Sequence, residues 1–66
     1  MEQPLLLTME EAGRLLGVGR SSAYSLARQG AIPVVHLGKA ARVPRAAVEA
    51  YAERLIREAE ALAGAR

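Results

Sequence analysis

The sequence predicts a mainly helical fold carrying a small β-hairpin, and three observations predict it. A threonine-led helix start, Thr8-Met9-Glu10-Glu11, opens a first amphipathic stretch. Two glycines around one valine, Gly17-Val18-Gly19, separate that stretch from a second. A β-branched run from Ala31 to Leu37 then precedes a long segment of helical period that begins after Pro44.

The first helix is predicted from about Met9 to Leu16. The Thr8 hydroxyl can accept from the Glu11 amide while the Glu11 carboxylate takes the Thr8 amide, which is a capping box. Leu7 stands just before the cap, where a hydrophobic staple sits. Ala12, Leu15 and Leu16 are expected to face inward, and Gly17 supplies the left-handed residue that commonly ends a helix. Gly19 serves as N-cap of the second helix, with Arg20, Ser21 and Ser22 as its first turn. Ala23, Leu26 and Ala27 form the i, i+3, i+4 stripe that packs back on the first helix. Arg28 lies in the last turn and Gly30 stops it. Val18 is expected to plug the angle between the two. The pair reads as a helix-turn-helix with a three-residue turn.

Ala31 to Leu37 is expected to form a strand, Gly38-Lys39-Ala40-Ala41 a turn, and Arg42-Val43 a short returning strand. Isolated hairpins are marginal, so this wing-sized element must lie against the helices. The last helix is predicted from about Arg45 to Ala63, with Val48, Tyr51, Ala52, Leu55, Ala59 and Leu62 as its apolar stripe. Glu53 and Arg57 make an i, i+4 pair of the favourable order. The last turn or two exceed what a core this small covers, and Ala63 to Arg66 should fray.

At 66 residues the chain is read as one domain over 1–66, with a core over about 6–55 and a helical extension to about 63. Cysteine is absent, which removes disulfides, thiolate metal sites and cysteine nucleophiles together. Aspartate is absent as well, and His36 is the one histidine, so no metal centre is expected. Met1 to Leu7 shows no basic leader, and Ala46 to Ala63 carries too many glutamates and arginines to span a bilayer. A soluble, cytoplasmic protein with no membrane partner is the expectation.

The net charge of +2 is mild, but its distribution is uneven. From Ala12 to Val48 there is no acid, while Arg14, Arg20, Arg28, Lys39, Arg42 and Arg45 all fall inside that window. A basic middle between acidic flanks points to a polyanion partner. A solvated basic face without a partner is the plainer reading of the same pattern.

Several stretches together resemble the excisionase family of MerR-like winged helix-turn-helix proteins. They are Leu7-Thr8-Met9-Glu10-Glu11-Ala12, Leu16-Gly17-Val18-Gly19-Arg20-Ser21-Ser22-Ala23-Tyr24, Gly30-Ala31-Ile32-Pro33, Leu37-Gly38-Lys39 and Arg42-Val43-Pro44. The resemblance covers roughly Leu6 to Leu55. It implies a small protein that binds double-stranded DNA, with the second helix in the major groove and the wing on the minor groove or its phosphates. Carried over by position, Arg20, Ser21, Ser22, Tyr24, Ser25 and Arg28 lie on or near the reading helix, and Lys39 at the wing tip. The sequence departs from the family at Gly19, where serine is usual, and has short side chains at Ser21 and Ser25.

Each of these residues has a plainer role beside the functional one. Arg20 and Arg28 contact phosphates or a guanine edge, or else are solvated helix ends. Ser21 and Ser22 hold a phosphate with the amides at the helix start, or else serve as capping residues. Tyr24 hydrogen-bonds a phosphate or packs its ring under the wing. His36 lies on the wing strand, and Lys39 and Arg42 are the wing's cationic candidates.

A serine, a histidine and glutamates are present, but no nucleophile elbow or oxyanion loop is visible, so no enzyme, cofactor or small-molecule substrate is expected. The leading expectation is a DNA-binding and DNA-bending excisionase that favours excision by a partner integrase. Short reading residues and a wing suit recognition through DNA shape and cooperative self-association on the DNA. A small transcription regulator of the same fold, and a protein-interaction module using the long last helix, are the alternatives.

Overall fold

A computed structural model describes residues 3–64; Met1, Glu2, Ala65 and Arg66 lie outside it. The elements run β1 (Leu6–Leu7), α1 (Met9–Leu16), α2 (Arg20–Arg28), β2 (Val35–Leu37), β3 (Ala40–Pro44) and α3 (Arg45–Gly64). The strands form an antiparallel sheet in the order β1-β3-β2. Both β1 and β2 pair with β3, in the registers Leu7↔Val43 and His36↔Ala41. The hairpin expected from sequence is present, and β1 adds a third strand to it.

The α1 start forms as its residues dictate. The Glu11 amide donates to Thr8 Oγ1 at 3.1 Å, and the Thr8 amide donates to Glu11 Oε1 at 2.8 Å. That backbone hydrogen bond from Thr8 is the main reason the Glu11 carboxyl is held below its usual range. At the other end, Gly17 sits at φ 78°, where an L side chain costs about 1–2 kcal/mol. The Gly17 amide donates to the Arg14 carbonyl and the Val18 amide to the Gly13 carbonyl, the paired bonds of a Schellman motif. The same motif closes α2, with Gly30 at φ 79° and the Ala31 amide donating to the Leu26 carbonyl.

Two expectations about this half need correction. Leu15 does not face inward; it is 58% exposed. With successive residues about 100° apart, the buried stripe of a two-turn helix is narrow. Met9, Ala12, Gly13 and Leu16 fill it, and Leu15 falls to one side. Val18 does not plug the angle between the helices, being 40% exposed on the rim of an outer groove. The angle is closed by backbone instead. A Cβ built on Gly13 would lie 2.9 Å from the Val18 carbonyl oxygen and 3.1 Å from that of Gly19. Glycine at 13 therefore lets the turn fold down onto α1.

The wing is shorter than expected. Ala31 to Val34 is not strand, because the Ala31 amide is spent on the α2 cap and Pro33 has no amide to give. Ile32 is buried all the same. Ala40 and Ala41 belong to β3, which leaves Gly38-Lys39 as a two-residue loop. Gly38 takes φ 61° while Lys39 keeps a negative φ, the pattern of a type II′ turn.

The core gathers Leu7, Met9, Ala12, Ile32, Val43 and Val48, with Leu16, Leu26, Ala27, Val34 and Tyr51 packed against it. The start of α3 is fastened to the chain before β1 by Arg45. Its amide donates to the Leu5 carbonyl at 2.8 Å and its Nε to the Pro4 carbonyl at 3.0 Å. Val48 joins the core, Tyr51 packs against it and Ala52 is half-buried, and from Glu53 onward every described residue of α3 is exposed. Ala59 and Leu62 are exposed, and Leu55 only borders an outer groove, so more of the expected stripe lies off the core than one or two turns. Glu53 pairs with Arg57 at 3.5 Å as its spacing implies, and Arg54 with Glu58 at 3.9 Å. Ala63 and Gly64, expected to fray, are helical and end α3; Ala65 and Arg66 lie outside the described residues. The projecting helix gives the molecule extents of 48 × 29 × 17 Å. No described helix is long and apolar enough to cross a membrane.

Candidate nucleic-acid interface

The acid-free window has six cations, and the fold sorts them into two groups. Arg45 is committed to the backbone carbonyl of Pro4 and to Glu49 at 3.5 Å. Arg14 lies on α1 and pairs with Glu10 at 3.9 Å. Arg20, Arg28, Lys39 and Arg42 remain, with no ion-pair partner among the described residues. Arg20 and Arg28 bracket α2, while Lys39 and Arg42 stand on the wing.

Three of these four line one cleft of about 460 Å³ between the start of α1, the side of α2 and the wing. Its walls include Glu10, Arg20, Tyr24, Lys39 and Arg42. Arg20 stacks on the Tyr24 ring, 5.4 Å from its centroid, and its Nη2 donates to the phenolic oxygen at 3.5 Å. That hydrogen bond is the main reason the Arg20 pKa is raised further. Tyr24 lines the cleft with the wing residues Lys39, Ala41 and Arg42 and orients an arginine at its edge. Arg42 is half-buried, its Nη1 donating to the Ala41 carbonyl at 3.0 Å. Lys39 occupies the tip of the hairpin and is exposed.

The other expected residues are spread around α2 and the wing. Ser21 and Arg28 are exposed on the solvent side of α2. Gly19 caps α2 without a side-chain bond and no acid occupies the first turn, so the amides of that turn point outward uncapped. Ser22 and Ser25 look the other way, onto a second groove of about 320 Å³ shared with Leu16, Val18, Leu26, Tyr51 and Leu55. The Ser25 hydroxyl accepts from Gln29 Nε2 at 3.1 Å. His36 is exposed on β2, opposite Ala41, which itself lines the cleft. Among the described residues no group of His, Asp or Glu side chains is arranged to hold a metal ion.

Sequence reasoning missed Glu10 as a wall of the cleft. By sequence it is part of the cap, and the cleft cations it joins lie ten or more positions along the chain. The signal was present in outline: Glu10 is the last acid but one before the basic window.

Two helices joined by a three-residue turn, with a short hairpin against them, define a winged helix-turn-helix. A family model described as a helix-turn-helix domain matches residues 6–55, and the chain belongs to that family. The chain is similar to a protein described as a probable excisionase from Saccharopolyspora erythraea, at 46% identity over 57 residues. The match takes in 86% of this chain and 58% of that protein, so the chain spans a little over half of its relative's length. No solved structure gives a significant match.

Proposed function

We propose that the chain is a non-enzymatic, cytoplasmic DNA-binding protein of the excisionase kind. It holds recombination-site DNA in a bent shape that favours excision by a partner integrase. The observation that carries this reading is the sorting of cations. The two that do structural or intrahelical work are not among the residues lining the cleft, and three of the remaining four share it between a helix and a wing. The similarity to a probable excisionase supports the same reading.

In this arrangement α2 enters the major groove and the wing follows the adjacent backbone. Arg20, Lys39 and Arg42 hold phosphates across the cleft, with Tyr24 positioning Arg20. Arg28 and Ser21 meet the strand along α2, together with the uncapped amides at its start. His36 approaches the DNA from the wing. Ser22 and Ser25 border the apolar groove on the α3 side and sit at the edge of the contact. With so few long side chains aimed at base edges, preference for a site comes mainly from DNA shape. The apolar groove and the uncovered face of α3 are where neighbouring copies meet when they assemble cooperatively on DNA.

Two experiments separate this reading from its alternatives. A chain ending at Leu55 should keep its fold and bind a single DNA site as the full chain does, because the residues removed are exposed. If that chain stays folded but loses all DNA binding, the long helix rather than the cleft is the functional element. Excision by the integrase encoded nearest to this chain should then rise when the full chain is added. Binding without any gain in excision would favour a transcription regulator of the same fold.

A further inference from the structure

We infer that Glu10 limits the affinity of the DNA-binding face, and that its pairing with Arg14 sets how strongly it does so. This inference rests on the DNA-binding reading above. Glu10 is the one carboxylate among the residues lining the cleft, facing Arg20, Lys39 and Arg42. Its charge is the last of the causes that raise the Arg20 pKa, behind the hydrogen bond to Tyr24. At the same time it pairs with Arg14 at 3.9 Å, one helical turn along α1. Glu10 thus sits between two cations, one that belongs to the cleft and one that does not.

A phosphate entering the cleft meets three attractive charges and one repulsive one. For a carboxylate and a phosphate on the order of 6 Å apart at an effective dielectric of about 40 to 80, the repulsion weakens binding roughly threefold to tenfold. The effect is nearly uniform over sequences, because every duplex brings the same phosphates. It therefore lowers affinity for every duplex by about the same factor and leaves the ratio between sites unchanged. Arg14 moderates this by holding the carboxylate along α1 and partly neutralising it. Glu11, beside it, does not line the cleft, and its carboxylate accepts from the Thr8 amide.

The test is the affinity of four proteins for one duplex at about 50 mM and about 300 mM salt, where the screening length differs roughly twofold or more. They are wild type, Glu10→Gln, Arg14→Gln and the double variant, each checked for folding by circular dichroism. Glu10→Gln should bind threefold to tenfold tighter at low salt, with the gain shrinking at high salt. Arg14→Gln should bind more weakly than wild type, and the double variant should match Glu10→Gln. A Glu10→Gln protein that binds no tighter than wild type overturns the inference and leaves the DNA reading standing. So does an Arg14→Gln loss of the same size with or without Glu10, since Arg14 would then be touching phosphate itself. If wild type fails to bind duplex DNA at all, the underlying reading falls and this inference with it.

Discussion

Replacing Gly13 with alanine is expected to destabilise the protein by about 1–3 kcal/mol, although it puts a better helix former inside a helix. Glycine to alanine in an exposed helix interior gains about 1 kcal/mol. Here the new methyl would lie 2.9 Å from one backbone carbonyl oxygen and 3.1 Å from the next, where no flexible side chain can yield. Overpacking typically costs about 1–3 kcal/mol and more against unyielding backbone, which outweighs that gain. For a chain this short, whose whole stability is on the order of 3–10 kcal/mol, that is a large fraction. Thermal unfolding followed by circular dichroism should show a melting temperature lower by roughly 5–20 °C. A melting temperature equal to or above wild type would mean that the turn does not press on α1 as described.

Removing Arg20 and Lys39 together is expected to weaken DNA binding by about 50-fold near 0.1 M salt, since each lost phosphate contact costs its share of released counterions. One residue comes from α2 and the other from the wing, so the pair tests whether both sides of the cleft engage one duplex. Both are exposed, and glutamine at each position should leave the fold intact. The affinity of the Arg20→Gln, Lys39→Gln double variant for a fixed duplex, measured by fluorescence anisotropy, checks this. A loss below about threefold would place the DNA elsewhere on the molecule.

The helix-turn-helix was legible in the sequence because its signals are local. Thr8 with Glu11 starts α1, Gly17 at φ 78° ends it, and Gly19 opens α2, all within a few residues of the bonds they make. What was not legible depends on residues distant in sequence. β1 exists only because Leu6 and Leu7 pair with Pro44 and Val43, and no period can show in two residues. The strand start at Val35 reflects the use of the Ala31 amide by α2, which a run of β-branched residues does not reveal. Leu15 and Val18 look like core by composition, yet a two-turn helix and a turn pressed down by its backbone leave both outside.

The site was partly legible for the same reason. Charge patterning alone separated the basic window, but it could not tell Arg45, tied to Pro4 and Glu49, from Arg42, which lines the cleft. Nor could residue type distinguish Ser21, exposed on the solvent side of α2, from Ser25, which borders the α3 groove. These distinctions arise from the helical rotation of α2 and from where the wing folds back.

The claim at the centre of this account is that Arg20, Arg28, Lys39 and Arg42, with the amides at the start of α2, neutralise phosphates on one duplex. The most direct test is the equilibrium affinity of the full chain for a single-site duplex over a series of salt concentrations. The logarithm of affinity should fall linearly with the logarithm of salt, with a slope of roughly −3 to −5 per bound monomer. An affinity that does not change with salt, or a slope shallower than about −1, would contradict it.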